Sequence, residues 1–136
     1  MIVVDASVLV TALGDDGPDG EIAQARLRDE TLLAPHLIDL EVLSAWRRLV
    51  ARGLLTEERA GQAIADLHDL RLTRAQHGPL ITRCWSLRHN LSIYDAAYIA
   101  LAEVTATTLL TADARLAAAP GIVGEVELLS LDRRSS

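Results

Sequence analysis

Apolar and polar positions fall into short alternating blocks along this chain. Ile2-Val3-Val4 is an unbroken apolar run closed by Asp5, the length of a strand buried on both faces. Residues 6–13 are apolar enough to extend that strand, but their length and the Asp-Ala-Ser start predict a helix opening directly after Asp5. A turn-rich segment, Gly14-Asp15-Asp16-Gly17-Pro18-Asp19-Gly20, leads into a helix over about 20–29 that Asp19 would cap. Thr31 to Ala34 reads as a second strand. Pro35 sits where a helix would begin, and Gly53 would end that helix near residue 52. Thr56-Glu57-Glu58 opens a further helix to about 69, with a hydroxyl cap and acids in its first turn. Leu70 to Ala75 is a strand candidate, and Pro79 starts a helix reaching about His89. Residues 93–105 read as a helix, 107–111 as a strand, 113–119 as a short helix and 125–131 as the last strand.

Strands alternating with helices predict an α/β layer fold around a mainly parallel sheet of about five strands, flanked by helices. The length of 136 residues suits one domain with one core, taken here as residues 1–131, followed by the polar tail Asp132-Arg133-Arg134-Ser135-Ser136. With no Phe in the chain, that core must be built from Leu, Ile, Val and Ala. The apolar runs fall well short of the ~20 residues that span a membrane, and Asp5 interrupts any opening signal segment. A lone cysteine, Cys84, excludes an internal disulfide and points to a cytoplasmic setting, with the thiol inert in the core. The same apolar helical patterns hold Trp46 and Trp85, which suggests core or dimer packing for both.

Charge changes the picture in two ways. The net charge of −6 argues against a protein that grips nucleic acid by charge alone. All 13 basic residues are Arg, so chemistry that needs a lysine is excluded: the Walker A loop, Schiff-base catalysis and Lys-dependent phosphoryl transfer.

The acids carry the chemistry. In a parallel sheet, sites form beyond the carboxyl ends of the strands. Asp5 and Asp113 both follow apolar strands. Glu41 borders the apolar face of its helix, with Leu37, Ile38 and Ala45 on one side and Ser44 and Arg48 on the other. Asp95 shares a helical stripe with Tyr98, Ile99 and Ala102. Each acid has an ordinary alternative. Asp5 and Asp113 could cap helices, Asp95 could complete a capping box with Ser92, and Glu41 could pair with Arg48. Four caps do not account for acids on apolar stripes. Four charges in one cleft would need a cation, since two charges about 4 Å apart repel by ~4 kcal/mol at an effective dielectric near 20. An all-oxygen donor set suits Mg²⁺ or Mn²⁺. Zinc fits poorly, because His36, His68, His77 and His89 are scattered. Such a site can hydrolyse a phosphodiester without a covalent nucleophile.

Four segments in order, Val3-Val4-Asp5-Ala6-Ser7, Pro35 to Val42, Leu91 to Tyr98 and Leu109 to Leu116, give the chain a wider likeness. It resembles PIN-domain ribonucleases, and in particular the VapC-type toxins of bacterial toxin–antitoxin pairs. The resemblance implies a PIN-like three-layer sandwich and an Mg²⁺- or Mn²⁺-dependent endoribonuclease that cuts RNA. It places the acidic quartet on Asp5, Glu41, Asp95 and Asp113 as catalytic and metal-holding residues, with Ser7 and Thr111 supporting through their hydroxyls. It also implies a homodimer, and a cognate VapB-type antitoxin whose tail covers the acidic groove. Some members carry a further acid after the last segment, where Ala114 to Ala117 here supply only Arg115. Arg47, Arg48, Arg52, Arg74, Arg83 and Arg88 are candidates to contact RNA phosphates. Two readings from other classes remain beside this one: a Mg-binding phosphatase or phosphoacceptor domain, suggested by an Asp after the first strand, and a non-catalytic interaction module whose acids only cap helices.

Overall fold

The computed structural model describes residues 1–131. The expected tail, 132–136, lies outside them. Five strands form one sheet, all in parallel register: β1 (Ile2–Val4), β2 (Leu32–Pro35), β3 (Leu72–Ala75), β4 (Leu109–Thr111) and β5 (Val126–Leu128), in the spatial order β3-β2-β1-β4-β5. Seven helices flank it among the described residues: α1 (Ala6–Gly14), α2 (Pro18–Leu27), α3 (Ile38–Ala51), α4 (Glu57–Asp69), α5 (Ile81–Ser86), α6 (Ile93–Val104) and α7 (Ala114–Ala117). The α/β expectation holds, and the sheet is parallel throughout.

β1 is the central strand because it has nothing polar to expose. Val3 and Val4 are fully buried, and β2 and β4 pair with β1 on either side. The chain runs outward from β1 through β2 to β3, then returns to the other side of β1 as β4. The β1–β4 seam is therefore the point where the strand order reverses, and crevices open there at the carboxyl ends of the strands. α6 is apolar on nearly every side, with Ala96 to Ala102 all buried, as expected of a helix enclosed by the fold. It lies against β1, β2 and β4, while α1 packs on α2, α3 and α4.

Several boundaries differ from expectation for local reasons. Pro35 ends β2 rather than starting a helix, pairing with Ala75 of β3, and α3 begins at Ile38. Pro cannot donate to a ladder, but its carbonyl side and fixed φ are compatible with a strand end. α2 starts earlier than expected and is capped at Gly17, not Asp19. Asp15 folds back to accept the Gly17 N–H at 2.7 Å, and Pro18 supplies the first helical residue. This turn brings α2 so close to the end of α1 that a Cβ on Gly20 would stand 1.8 Å from the Asp15 carbonyl oxygen. The helix expected over 79–89 is a single 3₁₀ turn, Gly78–Leu80, followed by the short α5. Gly53 does end α3, with φ of 73°.

The two tryptophans part company. Trp46 is buried and donates its indole N–H to the Val10 carbonyl at 3.2 Å, tying α3 to α1. Trp85 is 62% exposed and carries the Arg88 guanidinium over its ring at 4.4 Å, so it is not a core residue. Cys84 is buried, and burial pushes its thiol up, which suits the inert role.

Candidate active site

The crevice at the β1–β4 seam is a cleft of about 970 Å³, and all four acids line it. They arrive from four elements. Asp5 follows β1, Glu41 lies in the first turn of α3, Asp95 in the first turn of α6, and Asp113 two residues beyond β4.

Asp5 is the most constrained. It is 5% exposed, and both its oxygens are engaged. Oδ1 accepts from the backbone N–H and the hydroxyl of Ser7, and Oδ2 accepts from the Thr111 hydroxyl at 2.6 Å. Each hydroxyl is fixed in turn by a backbone donor beyond β4. The Ala112 N–H donates to Ser7 Oγ and the Asp113 N–H to Thr111 Oγ1, both at 3.0 Å. The strand-end backbone thus orients two hydroxyls, and the two hydroxyls orient one carboxylate. Oδ1 spends both lone pairs on Ser7, whereas Oδ2 keeps one beside the Thr111 bond with which to approach a cation.

Asp113 accepts from the Arg115 N–H at 2.9 Å and Asp5 from the Ser7 N–H, so both do cap helices. The capping and site readings are not alternatives. A cap places a carboxylate at a helix start, and these helix starts face the cleft. The Asp95 N–H donates to Ser92 Oγ at 3.1 Å, and the Ser92 hydroxyl beside it eases the charge on the Asp95 carboxyl. Glu41 does not take the Arg48 partner. It accepts from the Tyr98 hydroxyl at 2.6 Å, while Arg48 turns to Ser44.

The electrostatics record the crowding. Burial raises the Asp5 carboxyl above its ordinary value, the Ser7 and Thr111 hydrogen bonds oppose this, and the charge of Asp95 adds to the rise. Glu41 is raised by burial and then by Asp95 and Asp5. Asp95 is raised by burial and by Asp113. These four charges therefore destabilise one another in a partly desolvated space.

The carboxylates share a cleft rather than a ready coordination shell. Among the described residues, no three His, Cys, Asp or Glu side chains stand close enough to enclose an ion. The donor chemistry still fits a hard divalent cation. All four are oxygen donors, their mutual repulsion favours a positive charge between them, and Mg²⁺-like ions keep waters that bridge wider gaps.

The arginine candidates separate clearly. Arg48 and Arg52 line the cleft. Arg74 forms a fork with Asp39 at 2.7 and 2.9 Å, and Arg83 does the same with Glu103 at 2.7 and 3.1 Å, so both are committed to structural pairs. Arg47 faces a separate groove between α3 and α4, and Arg88 covers Trp85. Sequence reasoning placed Tyr98 on the Asp95 stripe but gave it no role. The available signal was a tyrosine inside an Ala-rich buried helix, since a buried phenol needs a hydrogen-bond partner. It also missed Arg59, which lines the cleft while bonded to Asp16 and the Leu13 carbonyl.

The family pattern described as PIN domain matches residues 2–122. Ribonuclease VapC1 of Mycobacterium tuberculosis strain H37Rv is 44% identical over 128 residues, covering 93% of this chain and 96% of that protein. Among solved structures, PAE2754 from Pyrobaculum aerophilum aligns with a TM-score of 0.70 at 22% identity, covering 92% of this chain and 81% of that one. VapBC2 from Rickettsia felis, solved bound to a DNA fragment from its promoter, aligns with a TM-score of 0.63 at 15% identity, covering 93% of this chain and 98% of that one. A family match over most of the chain and close full-length relatives agree with the sheet order and the acidic cleft: this chain belongs to the PIN-domain family, among the VapC-type ribonucleases.

Proposed function

We propose that Asp5, Glu41, Asp95 and Asp113 are the catalytic centre of an endoribonuclease toxin that hydrolyses RNA phosphodiester bonds with Mg²⁺ or Mn²⁺. Membership of the VapC ribonucleases supports the activity on RNA. The observation that carries the residue assignment is the convergence of four carboxylates, from four separate elements, on the β1–β4 crevice.

Asp5, Asp95, Asp113 and Glu41 would together hold the ion and its waters, Glu41 reaching the cleft from α3. Once bound, the ion would offset charge on the scissile phosphate and make water acidic enough to attack at neutral pH. Asp5 is pre-oriented by Ser7 and Thr111, so little side-chain motion remains to be frozen on binding. Glu41, half-buried and raised above its ordinary value, is suited to orient the attacking water and take its proton. Arg48 and Arg52, farther along the cleft, would take flanking phosphates, leaving the negative net charge tolerable.

The partner of this toxin is a VapB-type antitoxin, whose segment would occupy the same cleft and exclude RNA. The chain would act in the cytoplasm as a homodimer. Ile81 and Trp85 are 65% and 62% exposed one turn apart on α5, an apolar pair that a second copy would cover. No helix among the described residues is long and apolar enough to cross a membrane.

The test is cleavage of RNA by the purified protein with Mg²⁺ or Mn²⁺, beside Asp5→Asn and Asp95→Asn. Cleavage undiminished in both variants overturns the assignment.

A further inference from the structure

Glu41 differs from the other three acids in how it is held. Asp5 and Asp113 are each fixed by a backbone N–H at a helix start, and Asp95 stands beside Ser92, the cap of its own helix, to which its N–H donates. Glu41 has a longer side chain with one more rotatable bond, and it lies within α3 with no cap to hold it. Its hydrogen bond comes from another helix: the Tyr98 hydroxyl donates to Oε1 at 2.6 Å.

Tyr98 is itself enclosed by the core. It is 1% exposed, and its ring is held within the buried face of α6. It stands three residues after Asp95, so the two project from the same side of one helix. The backbone N–H of Ala6, the residue after Asp5, also faces the phenol oxygen. One hydroxyl thus sits among the start of α1, the first turn of α3 and the helix that carries Asp95.

We propose that Tyr98 is a positioning residue for the metal centre, its hydroxyl fixing Glu41 through Oε1 so that Oε2 is presented to the cleft opposite Asp5 and Asp95. This rests on the reading of the four acids as a metal-dependent centre. α6 then has two tasks one turn apart: Asp95 is offered to the ion directly, and Tyr98 sets the acid that faces it from α3. A carboxylate with a locked oxygen loses less freedom on engaging the ion or its water. Removing such an outer partner typically weakens metal affinity or activity about 10–100-fold.

Tyr98→Phe keeps the ring and deletes the donor. Three quantities are measured: Mn²⁺ affinity by calorimetry, the thermal midpoint in EDTA, and kcat and KM on an RNA substrate. The expected result is a folded protein whose Mn²⁺ affinity falls by about tenfold or more, with kcat lowered and KM for RNA unchanged. In a Glu41→Ala background, the same substitution causes no further loss of Mn²⁺ affinity. Mn²⁺ affinity unchanged in Tyr98→Phe, or a loss repeated in full on top of Glu41→Ala, overturns the positioning role. If Tyr98→Phe does not fold, Glu41→Asp reads the same link from the other end: shortening by one methylene withdraws the carboxylate from the phenol, and Mn²⁺ affinity equal to that of the unaltered chain overturns the role. Failure of the unaltered chain to bind Mn²⁺ at all instead overturns the metal-centre reading beneath it.

Discussion

Thr111 donates its hydroxyl to Oδ2 of Asp5 across 2.6 Å, joining residues 106 positions apart in the chain. Thr111 is fully buried, and the same oxygen accepts the Asp113 N–H at 3.0 Å. A single hydroxyl therefore orients one acid of the site by its proton and steadies the backbone of a second by its lone pair. Thr111→Val keeps the shape and strands both partners. The expected outcome is a loss of ~1–3 kcal/mol in stability, read by urea unfolding, and a roughly 10–100-fold loss of cleavage. Thr111→Ser restores most of both.

The acids themselves give the sharpest contrast. Asp5→Asn retains a side chain that Thr111 can still donate to through its carbonyl oxygen, but it removes the charge. Asp95→Asn does the same on α6. Cleavage of RNA in each variant is expected to fall by about a hundredfold or more while the near-ultraviolet circular dichroism stays native.

A pH dependence follows from the direction of the Asp95 shift. Its carboxyl is held above the ordinary value of 3.8, first by burial and then by Asp113. The folded state then keeps a proton that the unfolded chain has released. The stability linked to this group is complete below the unfolded value and is lost as pH rises through the folded one. In divalent-free buffer, Asp95→Asn is therefore expected to be more stable than the unaltered chain at neutral pH. That advantage shrinks as pH falls toward 4 and reverses when Mg²⁺ is added at neutral pH. Urea midpoints of both proteins across the pH range check this. An advantage that does not change with pH would contradict it.

Gly20 makes a prediction about the fold alone. A Cβ there would meet the Asp15 carbonyl at 1.8 Å, a backbone atom that cannot swing aside. Gly20→Ala is expected to cost about 3 kcal/mol, lowering the thermal midpoint by ~10 °C. Gly61→Ala on α4, where nothing lies within 4 Å, is the control and is expected to stabilise slightly.

Oligomeric state is tested on α5. If the unaltered chain sediments as the proposed dimer, Trp85→Ser together with Ile81→Ser removes the exposed apolar pair and is expected to give a monomer, read by sedimentation equilibrium. An unchanged mass would contradict α5 as an interface.

Much of this architecture was legible because the elements are short and well punctuated. Ile2-Val3-Val4 can only be an interior strand, and Gly53 and Thr56 mark the end of one helix and the start of another. What escaped was decided by contacts between distant segments. Pro35 reads locally as a helix start, yet pairing with β3 keeps it in the sheet. Asp19 is a good cap by composition, but Asp15 takes that end of the chain through the Gly17 N–H. Of the two roles open to Trp85, core or dimer packing, the core is ruled out because α5 is too short to bury both of its sides. The four acids could be found as charges misplaced on apolar elements. The Tyr98–Glu41 link could not, since a pairing of residues 57 apart depends on how α3 and α6 cross.

The central position of β1 has a consequence for the cell that makes this protein. Asp5 is synthesised 106 positions before Thr111, the partner that orients it. β4 cannot dock beside β1 until the residues through Thr111 have emerged, at ~5–20 residues per second. The four carboxylates are thus dispersed while the residues up to Asp113 are being made. A chain that cuts RNA would complete its cleft only after the β4 segment has left the ribosome, itself a machine of RNA.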